Sequence, residues 1–111
     1  MAGFKLVIII ASEPDVERLM PLLVERGLPA TKVSSSGGFL RRGNATIFSG
    51  VEQERVGEIL ELVRRECQSR TEMIPAQALP FPEVSLPTAP VEVRVGGAIV
   101  FVLSVEHFEK T

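Results

Sequence analysis

Leu6-Val7-Ile8-Ile9-Ile10-Ala11 and Ala98-Ile99-Val100-Phe101-Val102-Leu103 are continuously apolar. A run with no polar position at either parity predicts a strand buried on both faces. After the first run, Ser12-Glu13-Pro14-Asp15 reads as a helix start. Ser12 is the expected cap, Pro14 suits the first turn, and Asp15 suits the positive end of the helix dipole. Val16, Leu19, Met20 and Leu23 continue at helical spacing to Arg26, with Gly27 as the stop. Pro21 lies inside this span, where it removes a hydrogen bond and crowds the preceding turn. A kink, or a shorter or tilted helix, is expected there.

Residues 29–35 predict a short strand, and Ser34-Ser35-Ser36-Gly37-Gly38 a loop. Ala45 to Val51 alternate as a further strand. The second helix carries Val56, Ile59, Leu60 and Val63 at i, i+3, i+4, i+7, with Glu61 and Arg65 as an outer ion pair. Cys67 extends that apolar stripe and reads as a buried structural thiol. Between Gln68 and Pro90 prolines stand at 75, 80, 82, 87 and 90, which excludes helix. A brief strand over Thr71–Ile74 and then a long extended loop are expected. Val91 to Val95 alternate, and Gly96-Gly97 suits a two-residue turn, so a tight hairpin is expected between residues 91–95 and 98–103.

The element order β-α-β-β-α-β, with extra strand material at the end, predicts an α+β fold of ferredoxin-like plan. Two helices cover one face of such a sheet. The strands at 6–11 and 98–103 are apolar on both faces, so a monomer would present Ile8, Ile10, Val100 and Val102, or their alternates, to water. A closed oligomer joining the open faces resolves this, as does a proline-rich loop folded over them.

At 111 residues the chain has room for one domain, residues 1–111. A balance of 12 Lys+Arg against 14 Asp+Glu argues against general nucleic-acid binding, so no DNA partner is expected. One cysteine and one histidine, Cys67 and His107, leave no disulfide, no cysteine zinc cluster and no histidine relay. The apolar N-terminal stretch is too short to cross a bilayer and no small-residue cleavage site follows it. A cytoplasmic protein without membrane insertion is therefore expected. Glu106 and Glu109 flank His107 without a metal-ligand spacing. No catalytic set is apparent, and the chain is read as a non-enzyme without cofactor or metal.

One region stands out. From Gly27 to Gly50 no acidic residue occurs, while Lys32, Arg41 and Arg42 are present and Arg26 immediately precedes. Clearing carboxylates from one region creates a seat for an anion. Gly37-Gly38 offers unobstructed backbone N–H groups, Phe39 a stacking ring, Asn44 a donor and an acceptor matching an adenine edge, and Thr31 a hydroxyl. Each also has a plainer reading: a turn, a core phenylalanine, a left-handed asparagine and a solvated basic face. Neither G-x-G-x-x-G nor the P-loop pattern is present.

The run Ala30-Thr31-Lys32-Val33-Ser34-Ser35-Ser36-Gly37-Gly38-Phe39-Leu40-Arg41-Arg42-Gly43-Asn44-Ala45-Thr46 resembles the A-T-K-x-x-x-x-G-G-F-L-R-x-G-N-x-T signature of the PII-like cyclic-di-AMP receptors. Gly50-Val51 leading into Arg55-Val56, and Pro90 to Val102, are similar as well. The resemblance implies a PII-like homotrimer of ferredoxin-like subunits with cyclic di-AMP in each inter-subunit cleft. It implies an adenine near Thr31 and Gly50, with Phe39 and Leu40 lining its pocket. Gly38 and its neighbours would supply backbone contacts, Asn44 a hydrogen bond and Phe101 an apolar wall. Together with Gly27, Gly37 and Arg41 these compose the expected ligand site. Gly27 and Pro29 stand where the family commonly has Asn and Arg, and Lys110 where an uncharged amide is usual.

Three functions follow from this reading. One is a signalling receptor that binds cyclic di-AMP and orders the 34–44 or 68–90 loop toward an unidentified downstream protein. Another is a PII-like sensor of a different adenine nucleotide. The last is a trimeric interaction module without a ligand.

Overall fold

The computed structural model describes residues 3–34, 43–74 and 91–111. Strand β1 (Phe4–Ser12) leads into helix α1 (Glu13–Glu25), then strands β2 (Thr31–Ser34) and β3 (Asn44–Glu52). A single 3-10 turn, Gln53–Arg55, opens helix α2 (Val56–Glu66). Strands β4 (Arg70–Ile74), β5 (Val91–Val95) and β6 (Ala98–Ser104) follow. The expected α+β, ferredoxin-like plan is present, as an antiparallel sheet in the order β2-β3-β1-β6.

The expected hairpin is not formed. Strand β5 pairs with β4 in a second, two-stranded sheet, while β6 joins the open edge of β1. Gly96 and Gly97 do adopt positive φ, 80° and 88°, but they turn a corner between two sheets. The reason lies in the composition of the two strands. Apolar β6 gains most by continuing the main sheet, whereas Val-Glu-Val-Arg-Val suits a half-solvated ribbon with β4. Gly96 is required at this corner: a Cβ would lie 2.3 Å from the Gln68 carbonyl oxygen.

The core fills the space between the sheet and the helices. Val7, Ile9 and Ala11 of β1 and Ala45, Ile47 and Val51 of β3 meet Val16, Leu19 and Leu23 of α1. Helix α2 contributes Ile59, Leu62 and Val63, so its buried stripe turns further toward Leu62 than the sequence spacing indicated. Cys67 is buried, as expected. Arg65 reaches the neighbouring Glu66 at 3.0 Å rather than Glu61.

Helix α1 runs through Pro21 without shortening. Pro21 lies on the exposed side, where the lost hydrogen bond faces water. Ser12 makes no side-chain cap. The Glu13 N–H instead donates to the Gly43 carbonyl at 2.7 Å, tying the helix start to the entry of β3. Asp15 is fully buried, pairing with Arg18 and lying 3.6 Å from Arg70 at the start of β4.

Strand alternation divides the main sheet into two faces. Val7, Ile9 and Ile47 point to the helices. Leu6, Ile8, Ile10, Phe48, Ile99, Phe101 and Leu103 point away, and the register aligns Phe48, Ile8 and Phe101 in one row across three strands. Among the described residues no helix covers this second face, and Ile99, Phe101 and Leu103 are 58%, 50% and 46% exposed.

Candidate functional site

Two cavities adjoin at the Phe4 end of the sheet. One, of about 290 Å3, is lined by apolar groups (Phe4, Leu6, Ala30 and Phe48) together with Thr31 and Gly50. The other, of about 530 Å3, runs from Gly27 and Pro29 past Gly50 to Arg55 and Lys110. Phe4, Pro29, Gly50 and Phe108 border both. An apolar slot with a single hydroxyl, beside a wider cavity lined by Arg55 and Lys110 and by one carboxylate, Glu52, has a place for a purine and two cations for its phosphates.

Local structure explains how these residues arrive. Gly27 adopts φ 70°, and its N–H closes the end of α1 on the Val24 carbonyl at 3.0 Å. Such a left-handed stop suits glycine. The chain then passes Pro29, whose carbonyl accepts a hydrogen bond from the buried Ser49 hydroxyl. That bond aligns Thr31, the first residue of β2, beside Phe48 of β3. Gly50 lies opposite Leu6, and its missing side chain admits the Phe4 ring: a Cβ there would lie 3.1 and 3.2 Å from two ring carbons.

The structure therefore brings Gly27, Thr31 and Gly50 to one place and leaves Asn44 and Phe101 elsewhere. Asn44 opens β3 opposite Ser12, at the other end of the sheet, six residues and roughly 20 Å along the strand from Gly50. It adopts an extended backbone rather than a left-handed turn. There it lines a third cavity, of about 590 Å3, with Ser12, Ser69, Arg94 and the Gly96-Gly97 corner. Phe101 sits mid-strand on the uncovered face, opposite Ile8. Gly37, Gly38, Phe39, Leu40 and Arg41 lie outside the described residues.

The acid-free segment is less cationic in place than in sequence. Lys32 points to the helix side and meets Glu17 at 2.7 Å and Glu13 at 3.0 Å. Glu17 first, then Glu13, hold its ammonium above the usual lysine range, and Lys32 in turn holds the Glu13 carboxyl below its ordinary value. Arg26 lies 3.8 Å from Glu58. Arg55 donates to Glu58 at 3.2 Å and to the Arg26 carbonyl at 2.9 Å. Lys110, on the chain after β6, has no carboxylate partner among the described residues.

Burial, reinforced by the nearby Asp15 carboxylate, pushes the Cys67 thiol up to about 11, so it stays protonated at neutral pH. His107 is exposed and meets Glu109 at 3.1 Å. Among the described residues no three His, Cys, Asp or Glu side chains converge as a metal site, and no helix is long and apolar enough to cross a membrane.

Phe4 and Phe108 were missed in sequence. Phe4 precedes a long apolar run and reads as part of it. Phe108 is the one large apolar residue in the closing Glu-His-Phe-Glu-Lys-Thr, and that isolation was the available signal.

Solved structures of similar shape place this architecture in the PII-like class. CPII, a nitrogen regulatory PII-like protein from Thiomonas intermedia, solved with ADP, AMP and bicarbonate, is 21% identical with a TM-score of 0.56, over 98% of this chain and 97% of that one. GlnK of B. subtilis, solved with ATP, is 16% identical with a TM-score of 0.58, over 95% of this chain and 84% of that one. A functionally unknown protein from Pediococcus pentosaceus is 37% identical with a TM-score of 0.76, and the match covers 100% of both chains. The sequence profile of the cyclic-di-AMP receptor matches residues 4–111, and the chain belongs to that receptor family. Its family and fold are those of nucleotide-sensing signalling proteins.

Proposed function

We propose that this chain is a cytoplasmic, non-enzymatic sensor of cyclic di-AMP that acts as a homotrimer of single-domain subunits. The observation carrying this reading is the apolar slot formed by Thr31, Phe48 and Gly50 beside the cavity of Arg55 and Lys110, within a chain whose family is the cyclic-di-AMP receptor. Three copies bury the uncovered sheet face, including Phe101, against one another. Gly27, Thr31 and Gly50 receive an adenine. Gly37, Gly38, Phe39, Leu40, Arg41 and Asn44 supply the remaining contacts, and assembly supplies what one chain keeps apart. Ligand binding is then relayed through the 34–44 or the 68–90 segment to a downstream protein.

Calorimetric titration with cyclic di-AMP, ATP and AMP tests the reading. Saturable heat with cyclic di-AMP, at one ligand per chain and with the highest affinity of the three, is the expected result. Absence of heat and of any thermal shift at millimolar cyclic di-AMP overturns it. A second reading, a sensor of another adenine nucleotide, is favoured by Gly27 and Pro29, which bring no side-chain donor to the wider cavity. Tighter binding of ATP or AMP than of cyclic di-AMP would select it. Release of any product from an added nucleotide would contradict the non-enzymatic assignment.

A further inference from the structure

Strand β6 ends opposite Lys5, so the chain beyond it, which has no regular secondary structure, lies at the Phe4 end of the sheet. The Val105 N–H donates to the Phe4 carbonyl at 3.1 Å, and the Phe108 ring leans on the Phe4 ring with centroids 5.1 Å apart and planes 35° from parallel. Despite that contact Phe108 is 66% exposed, the largest exposure among the described bulky apolar residues. Core packing does not explain an aromatic ring so placed. Position offers another reason: Phe108 borders both cavities, as does Phe4. Beneath them, Gly50 provides the gap in which Phe4 lies. The three residues form a stack: a bare patch of strand, a seated ring and an outer ring.

We infer that Phe108 is a ligand-binding residue on which the purine ring stacks, a wall carried by the C-terminal segment and positioned by Phe4 upon Gly50. This deepens the proposed function and rests on it, since the base is the one placed near Thr31 and Gly50. The 5.1 Å separation leaves no room for a base between the two phenylalanines, so the base meets Phe108 on the side that lines the slot of Thr31, Phe48 and Gly50. Phe4 then acts as a positioning residue that braces the outer ring from behind. Gly50 takes part through Phe4, because a side chain there displaces the ring.

The chain contains no tryptophan and no tyrosine, so Phe108→Trp introduces a single fluorophore at the proposed contact. Stacking of adenine on it is expected to quench its emission saturably as cyclic di-AMP is added. Phe108→Ala, an exposed substitution outside the core, is expected to weaken binding by about 5- to 150-fold in calorimetry, the loss of one stacked base. Phe108→Tyr should restore it. Binding of wild-type strength by the Phe108→Trp variant with its indole emission unquenched, or equal affinity in Phe108→Ala, overturns the inference and leaves the receptor reading intact. A wild-type protein that binds no adenine compound overturns both.

Discussion

The two faces of the main sheet are built from similar residues and have opposite fates. On one, Val7, Ile9 and Ile47 are sealed beneath two helices. On the other, Ile8, Ile10, Phe48 and Phe101 are as apolar, yet no described element covers them. Hydrophobic strand positions thus fall into two classes, those whose burial the chain completes by itself and those that need another surface. Each bulky side chain left in water forgoes roughly 1.5–3 kcal/mol, a loss that the proposed homotrimer would recover.

Substitutions on the two faces should separate these classes. Ile9→Asp places an unpaired charge in the helix-side core and is expected to abolish folding, seen as loss of helical circular dichroism. The milder Ile9→Ala should cost about 2–5 kcal/mol in denaturant unfolding. Phe101→Asp, on the other face, should leave the far-ultraviolet spectrum native while light scattering falls from a threefold multiple of 12.1 kDa to the single-chain mass. Loss of secondary structure in that variant would mean that both faces serve the fold of one chain.

Smaller effects report on the margins of the covered face. Burial pushes the Cys67 thiol up to about 11 in the folded protein, from an ordinary value of 9.0. The protonated form is the one the core favours, so its stability contribution is complete below pH 9 and is lost as pH rises toward 11. Unfolding curves of the wild type should lose about 2–3 kcal/mol more over that interval than those of Cys67→Ala. The smallest effect concerns the Lys32 pair. Glu13 has a lowered folded value, so its contribution exists above the ordinary carboxylate range and disappears as pH falls through the folded value. Glu13→Gln should flatten the acid limb of the stability profile slightly and leave the neutral region unchanged.

The candidate site was legible in part. Thr31 and Gly50 stood out through the family signature, and the structure sets them together because β2 and β3 pair in register. Lys32 was misread as part of an anion seat because alternation alone does not reveal which parity faces the helices. The register turns it toward Glu13 and Glu17. Phe108 escaped notice because its significance arises from contact with Phe4, at the opposite end of the chain.

By itself the sequence determined the helices, the strands with apolar residues on both faces and the receptor family, since all three reside in short-range periodicity and local motifs. Only the tertiary structure decided that β6 pairs with β1 and β5 with β4, that Gly96-Gly97 is a corner between sheets, and that the C-terminal segment returns to Phe4. Strand pairing selects among edges far apart in the chain, and the winner is the arrangement that buries most apolar surface while satisfying every backbone group. No local window of residues contains that competition.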